Sequence, residues 1–208
     1  MREELKKKLN IMSVATVVAF LFLVICVIFD IATAYDIALG TIFTRSEGMT
    51  VVMKACTLLG EAFFLILAGV LITIFSKNKE DGAMLLAGLG IAAGLNSLLK
   101  KIIRRPRPTL THLVEATGFS FPSGHSTSSV MFYGFIIYIV YKRCKNETVK
   151  KILIALLSIM ILCVGVSRVY LGVHYVSDVL AGFSFGALCL SLYIRGINVL
   201  EERIKSKR

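Results

Sequence analysis

The amino-acid sequence predicts an all-α, polytopic membrane protein folded as a bundle of six transmembrane helices. Of its 208 residues, 56% are hydrophobic, and the mean hydropathy of +0.79 is typical of integral membrane proteins. The apolar residues are gathered into long runs, and the charged residues lie mostly between those runs. The sequence contains no repeat or low-complexity tract, so residues 1–208 are interpreted as a single domain.

Six apolar runs are long enough, or nearly so, to cross about 30 Å of hydrocarbon at about 1.5 Å per residue. In chain order, the predicted spans are residues 11–29, 51–75, 83–99, 124–141, 150–166 and 176–194. The fifth run is short, and the fourth and sixth begin with polar residues. Residues 30–50 are of mixed polarity and are expected to lie along the membrane interface. The first run exceeds the core of about 7–15 residues in a signal peptide, so it is interpreted as an uncleaved helix.

The lysine and arginine residues predict the orientation, because positive charge is concentrated in cytoplasmic loops. With both termini in the cytoplasm, most of the 24 basic residues fall in four cytoplasmic segments. These segments are residues 1–10, 76–82, 142–151 and 195–208. Most of the exceptions cluster within residues 100–107, on the extracytoplasmic side of the cell membrane. A bound anion at that face explains the cluster.

The net charge of +11 does not indicate nucleic-acid binding, because the chain has no polar domain to present a basic face. The five cysteines have neither a disulfide framework nor metal-ligand spacing, and they are interpreted as small buried hydrophobic residues. No cluster of Asp, Glu and His resembles a metal cage, so no metal and no other cofactor is expected.

Three polar clusters lie in the two outer loops, between spans 3 and 4 and between spans 5 and 6. They read KKIIRRPRPTL from Lys100, FPSGHS from Phe121, and SRVYLGVHYVSD from Ser167. Because both loops face the same side of the membrane, we expect the three clusters to form one site.

The residue types in these clusters suit a phosphate group. Ser123 and Gly124 begin span 4, and a helix N-terminus has unpaired N–H groups that favour an anion. Arg107 and Arg168 offer planar forks that match phosphate oxygens, and Lys100 adds a point charge. The sequence therefore predicts an oxyanion site.

The histidines supply the expected chemistry. His174 and Asp178 are four residues apart and share a helical face, so the carboxylate can accept one ring N–H and leave the other nitrogen free as a nucleophile. His125 is then available as the second catalytic group. His112 has no such pattern and is interpreted as a loop residue.

At these residues the chain resembles the type 2 phosphatidic acid phosphatase superfamily, and in particular its compact six-helix bacterial lipid phosphatases. The resemblance covers residues 83–194 and rests on three motifs. The motifs are Lys100 with Arg107-Pro108, Pro122-Ser123-Gly124-His125, and Ser167-Arg168 with His174 and Asp178.

The resemblance implies a mechanism for each of these residues. His174 attacks phosphorus and forms a phosphohistidine, Asp178 holds its ring, and His125 protonates the leaving oxygen. The phosphoryl oxygens are held by the remaining residues of the motifs, which are Lys100, Arg107, Ser123, Gly124 and Arg168. The implied reaction is metal-independent hydrolysis of a membrane lipid phosphate.

Several alternatives stay open at the level of sequence. The substrate is phosphatidylglycerophosphate, undecaprenyl pyrophosphate or phosphatidic acid, and a phosphotransferase would use the same intermediate. An anion transporter would require broken helices or a long inverted repeat. Arg104 and Arg105 are candidates for contacts with lipid headgroups. Glu61 and Lys54 in span 2, and the oligomeric state, have no assigned role.

Overall fold

The computed structural model describes residues 2–43, 45–76 and 78–206, and eight α-helices make up its secondary structure within those ranges. The all-α prediction is confirmed for this part of the chain. The helices are α1 (Arg2–Ile28), α2 (Thr33–Thr41), α3 (Glu47–Leu58), α4 (Ala62–Phe75), α5 (Lys79–Ile103), α6 (Gly124–Arg143), α7 (Glu147–Tyr170) and α8 (Val176–Ser206).

The predicted span 51–75 is wrong as a single helix. It consists of α3 and α4, which meet at a bend of 50°. The break falls at Gly60, a poor helix former, and Glu61 follows with extended backbone angles. We call this bend the α3–α4 elbow. A Cβ atom at Gly60 would lie 3.3 Å from the Cβ of His125, so the glycine lets the α3–α4 elbow approach α6 closely.

The protein is a multi-pass membrane protein, but the count of six spans is not confirmed. Four helices of the described part, α1, α5, α7 and α8, are long and apolar enough to cross a membrane, and the bent α3–α4 pair would make a fifth. The predicted span 124–141 is indeed helical as α6. Its first turns are polar, from His125 to Ser129, which lowers its hydropathy.

Helix α6 packs against α5, α7 and α8, while α1 packs on α8, α3 on α7 and α4 on α5. The α6–α8 contact is close because α8 presents Gly182 and Gly186. A Cβ on either glycine would lie within 2.8 Å of a backbone oxygen, that of Ser123 or Thr127. Such small residues let helix backbones approach in membranes.

The short helix α2 forms within the segment expected at the interface. It docks on the start of α8, where Asp36 accepts a hydrogen bond from the backbone N–H of Ser177 at 2.9 Å. The loop after α5 also folds inward, because Ser120 and Phe121 are fully buried. These two segments surround the N-terminal end of α8.

Candidate active site

The three polar clusters of the sequence meet at one end of the bundle. Helices α5 and α7 end there, and α6 and α8 begin there. The backbone N–H of Ser123 donates to the carbonyl oxygen of Asp178 at 3.0 Å, which joins the start of α6 to the first turn of α8. Lys100 and Arg168 lie close enough for their charges to act on both His125 and His174.

His174 is held in one tautomer. Its Nδ1 lies 3.4 Å from Oδ2 of Asp178, and its Nε2 lies 3.3 Å from Nη1 of Arg107. A guanidinium can only donate hydrogen bonds, so Nε2 must be the unprotonated acceptor and Nδ1 carries the proton. The nitrogen that carries a lone pair therefore faces the cationic side of the site.

The His174 ring is also uncharged. Its side chain is almost fully buried, and burial lowers its pKa to about 3, although the hydrogen bond and charge of Asp178 act to raise it. An imidazole that is neutral at physiological pH has the electron pair that a nucleophile needs.

Asp178 is buried and satisfied on both oxygens. Oδ2 faces His174 and accepts hydrogen bonds from the Ser120 hydroxyl and, at 2.9 Å, from the backbone N–H of Tyr175. Oδ1 accepts from Nη1 of Arg105 at 2.7 Å. Every partner of this carboxylate is a donor, so the environment favours its ionised form.

The guanidinium of Arg107 is largely engaged with the protein. It donates to the carbonyl oxygens of Thr117 at 2.7 Å, Gly118 at 3.0 Å and Val173 at 2.8 Å, in addition to His174. The sequence predicted that Arg107 offers its planar fork to phosphate. In the structure these hydrogen bonds fix the loop and place Nη1 beside His174, and the binding of phosphate by Arg107 stays a prediction.

Lys100 and Arg168 retain binding capacity. The ammonium of Lys100 donates to the carbonyl oxygens of Phe119 at 2.6 Å and Ser120 at 3.1 Å, which leaves one N–H. Arg168 donates from Nη1 to the hydroxyl of Thr57 at 2.5 Å, but its buried Nε has no hydrogen-bond partner among the residues that the structure describes. Buried donors are normally satisfied, so this Nε can still donate to a partner such as a phosphoryl oxygen or a water molecule.

Ser123 and Gly124 form the start of α6, as predicted. Ser123 is the N-cap, and its hydroxyl oxygen accepts hydrogen bonds from the N–H and the hydroxyl of Ser126. Among the described residues, a Cβ at Gly124 would meet just the Asn96 side chain, at 3.5 Å, so the backbone there is open to close approach. The hydrogen bond from the Ser123 N–H to the carbonyl oxygen of Asp178 places both residues close to Asp178.

The α3–α4 elbow brings a carboxylate to the second histidine. Nε2 of His125 lies 2.8 Å from Oε2 of Glu61, whose side chain is half exposed. The same elbow carries Thr57, the partner of Arg168. Lys54, one turn earlier, is exposed.

Arg105 and Asp36 were missed by the sequence analysis. Arg105, expected at lipid headgroups, is buried and donates to Oδ2 of Asp36 at 2.8 Å as well as to Asp178. Burial acts to lower the pKa of Arg105, but the carboxylates of Asp178 and Asp36 outweigh it and raise that pKa. No local signal marks the pair, because 69 residues separate its members.

Arg104 directs its neighbour inward. It ends α5 with a left-handed backbone (φ 52°), which turns the chain so that Arg105 enters the protein. Its own side chain is exposed and donates to the carbonyl oxygen of Lys101. His112 is a loop residue, as predicted, with Nε2 2.9 Å from the carbonyl oxygen of Pro108.

A neutral, carboxylate-held imidazole beside three basic side chains suits phosphoryl transfer, and its place at the end of a membrane helix bundle fits a membrane phosphatase. Comparison with known proteins specifies the family. The family model of the PAP2 superfamily matches residues 81–201, more than half of the chain, and the chain belongs to that superfamily. Its homologues are lipid phosphatases, and this protein is a lipid phosphatase of the same family.

Two of the matches extend over more than four fifths of this chain. Phosphatidylglycerophosphatase B of Bacillus subtilis (strain 168) is 36% identical over 82% of this chain and 86% of its own length. The crystal structure of the transmembrane PAP2 type phosphatidylglycerolphosphate phosphatase from Bacillus subtilis covers 94% of this chain and 98% of that one. It has a TM-score of 0.83 and 34% identity.

More distant relatives match a smaller part. Dolichyldiphosphatase of Saccharomyces cerevisiae is 32% identical over 51% of this chain and 48% of its own length. The Aquifex aeolicus LpxE structure covers 73% of this chain and 88% of that one, with a TM-score of 0.62 and 22% identity. The LpxE likeness shows a shared fold.

Proposed function

We propose that the protein hydrolyses the phosphomonoester of a membrane lipid, with phosphatidylglycerophosphate as the first candidate, through a phosphohistidine at His174. The observation that carries this proposal is the unprotonated Nε2 of His174, fixed by Asp178 on one side and Arg107 on the other. This lipid is the first candidate because the Bacillus subtilis relative that matches 82% of this chain is named phosphatidylglycerophosphatase B.

In the proposed first step, Nε2 of His174 attacks phosphorus and the bond from phosphorus to the lipid oxygen breaks. His125 gives its proton to that oxygen, which leaves as an alcohol. In the second step, water loses a proton to His125 and attacks the phosphohistidine, and inorganic phosphate leaves. Glu61 accepts the hydrogen bond of His125 between turnovers and so holds its ring in place.

The charge that develops on the phosphoryl oxygens is stabilised by cations of the chain. Lys100, Arg107 and Arg168 supply three positive charges. The buried Nε of Arg168, which has no partner within the described part of the chain, is the donor best placed to gain an acceptor. Ser123 and Gly124 add the positive end of α6. Donors fixed before the reaction lower its barrier, because they need no reorganisation.

A second candidate substrate is a polyprenyl diphosphate such as undecaprenyl pyrophosphate. It is favoured by the match to dolichyldiphosphatases over about half of the chain. Transfer of the phosphoryl group to an alcohol instead of water is the alternative reaction, because it would pass through the same intermediate.

We expect purified protein in detergent to release inorganic phosphate from phosphatidylglycerophosphate faster than from undecaprenyl pyrophosphate or phosphatidic acid. Because the charge is balanced by three basic side chains, turnover should persist in EDTA, and orthovanadate should inhibit it. Phosphate release is measured for each lipid with and without chelator. A second set of reactions contains an added alcohol, and its phosphorylated product is measured beside inorganic phosphate. Loss of activity in EDTA that Mg²⁺ restores, or a phosphorylated alcohol in place of phosphate, would contradict the proposed reaction.

The site is proposed to face the extracytoplasmic side, with both termini in the cytoplasm. The excess of basic residues in the segments at the opposite end of the bundle supports this orientation.

A labelling experiment tests the orientation. In a background without the native cysteines, Thr111→Cys should react with an impermeant maleimide on intact cells, and Lys145→Cys should react only after the cells are opened. Both side chains are exposed, at opposite ends of α6. Asn146 is left intact because its side chain caps α7. The reverse labelling pattern would place the site in the cytoplasm.

A further inference from the structure

A buried network continues from the proposed nucleophile to the short helix α2. The guanidinium of Arg105 lies between two carboxylates, with Nη1 2.7 Å from Oδ1 of Asp178 and Nη2 2.8 Å from Oδ2 of Asp36. All three side chains are less than 10% exposed, at 7%, 0% and 4% for Arg105, Asp178 and Asp36. Charges this deeply buried interact strongly, because water screens them little.

Further contacts with Ser177 and Tyr175 hold Arg105 and Asp36 in place. Nη1 of Arg105 also donates to the hydroxyl of Ser177 at 2.7 Å, and the guanidinium lies over the ring of Tyr175 at 4.1 Å from its centroid. Asp36 accepts from both the N–H and the hydroxyl of Ser177. Arg105 therefore cannot move without disturbing the first turn of α8.

We propose that Arg105 and Asp36 are a positioning pair that acts on the nucleophile through Asp178. Arg105 occupies Oδ1, so the carboxylate cannot rotate and Oδ2 stays directed at Nδ1 of His174. This inference rests on the proposed phosphohistidine mechanism.

The role of Asp36 in this pair is to set the net charge of the buried group. A single arginine beside Asp178 would cancel the negative charge that stabilises the His174 ring when it becomes cationic during attack. Asp36 shares the guanidinium, so the buried group of two carboxylates and one cation keeps a net negative charge. Asp36 also lies before residue 81, outside the part of the chain that the family model matches.

The test compares Arg105→Lys and Asp36→Asn with Arg104→Met, a matched control at the adjacent arginine. The Arg104 side chain is exposed and donates to the carbonyl oxygen of Lys101 in its own helix. Arg105→Lys should lower kcat by about tenfold or more, because lysine lacks the planar fork that holds both carboxylates. Asp36→Asn should lower kcat by about fivefold, and Arg104→Met should stay within about twofold of the unaltered protein.

Two readouts separate positioning from general damage. The KM for lipid and the inhibition constant of inorganic phosphate should change by less than about twofold, because the cations that hold phosphate are intact. In an Asp178→Asn background, adding Arg105→Lys should have no further effect on kcat, since residues that act through one partner are not additive.

Thermal unfolding and elution volume check that each variant is folded, and Asp36→Asn alone decides the question if Arg105→Lys does not fold. Unchanged kcat in the folded variants would overturn the proposal, and so would a parallel loss of phosphate binding. Neither result would contradict the proposed phosphohistidine intermediate, which a substitution of His174 tests separately.

Discussion

His174→Gln is expected to lower turnover by about 10⁴-fold or more, because the variant lacks the nitrogen that forms the covalent intermediate. Glutamine is close to histidine in size, so the buried site should remain filled. Phosphate release measures turnover. Labelled lipid mixed with the enzyme and quenched in alkali, where a phosphorus–nitrogen bond survives, measures the phosphoenzyme.

The matched control is His112→Gln, because His112 is a loop histidine that contacts the carbonyl oxygen of Pro108 and lies outside the three motifs. This variant should keep the activity and the trapped phosphate of the unaltered protein. A folded His174→Gln protein that keeps more than a few per cent of the activity, or that still traps phosphate, would show that another residue attacks.

Asp178→Asn is expected to lower kcat by about 10³- to 10⁴-fold with little change in volume. The amide oxygen has to accept from Arg105, which leaves the amide N–H₂ facing Nδ1 of His174 and the N–H of Tyr175. Nδ1 must then accept, the ring proton moves to Nε2, and Nε2 meets the donor of Arg107 instead of offering it a lone pair. The nucleophile is thus in the wrong tautomer.

The phosphate inhibition constant and kcat of Asp178→Asn are compared with those of Asp81→Asn. Asp81 pairs with Arg143 at 2.7 Å at the far end of α5, so the control changes the same chemistry away from the site. Activity within tenfold of the unaltered protein would mean that Asp178 does not set the tautomer. The role of these residues in catalysis stays a prediction until such measurements are made.

Local pattern was enough to predict most of the helices and the three polar clusters that meet at one end of the bundle. Long apolar runs predicted the helices, because the bilayer requires backbone hydrogen bonds within each segment. The interval of four residues predicted the contact between His174 and Asp178, but not its geometry. His174 lies two residues before α8 and not on the expected helical face, and it reaches Asp178 in the first turn of that helix. The break at Gly60 was not predicted, since the surrounding run is apolar and a single glycine is tolerated in many membrane helices.

The sequence by itself determined the all-α class and the residues of the polar clusters, because these depend on composition and on motifs of short span along the chain. The chemistry of those clusters stays a prediction. Only the tertiary structure decided that Arg105 is buried, that its guanidinium pairs with both Asp36 and Asp178, and that Glu61 lies within hydrogen-bond distance of His125. These partners are 64 to 73 residues apart along the chain. Such contacts depend on how the helix ends meet and on the high cost of leaving a buried charge unpaired, and no short-range pattern records either of them.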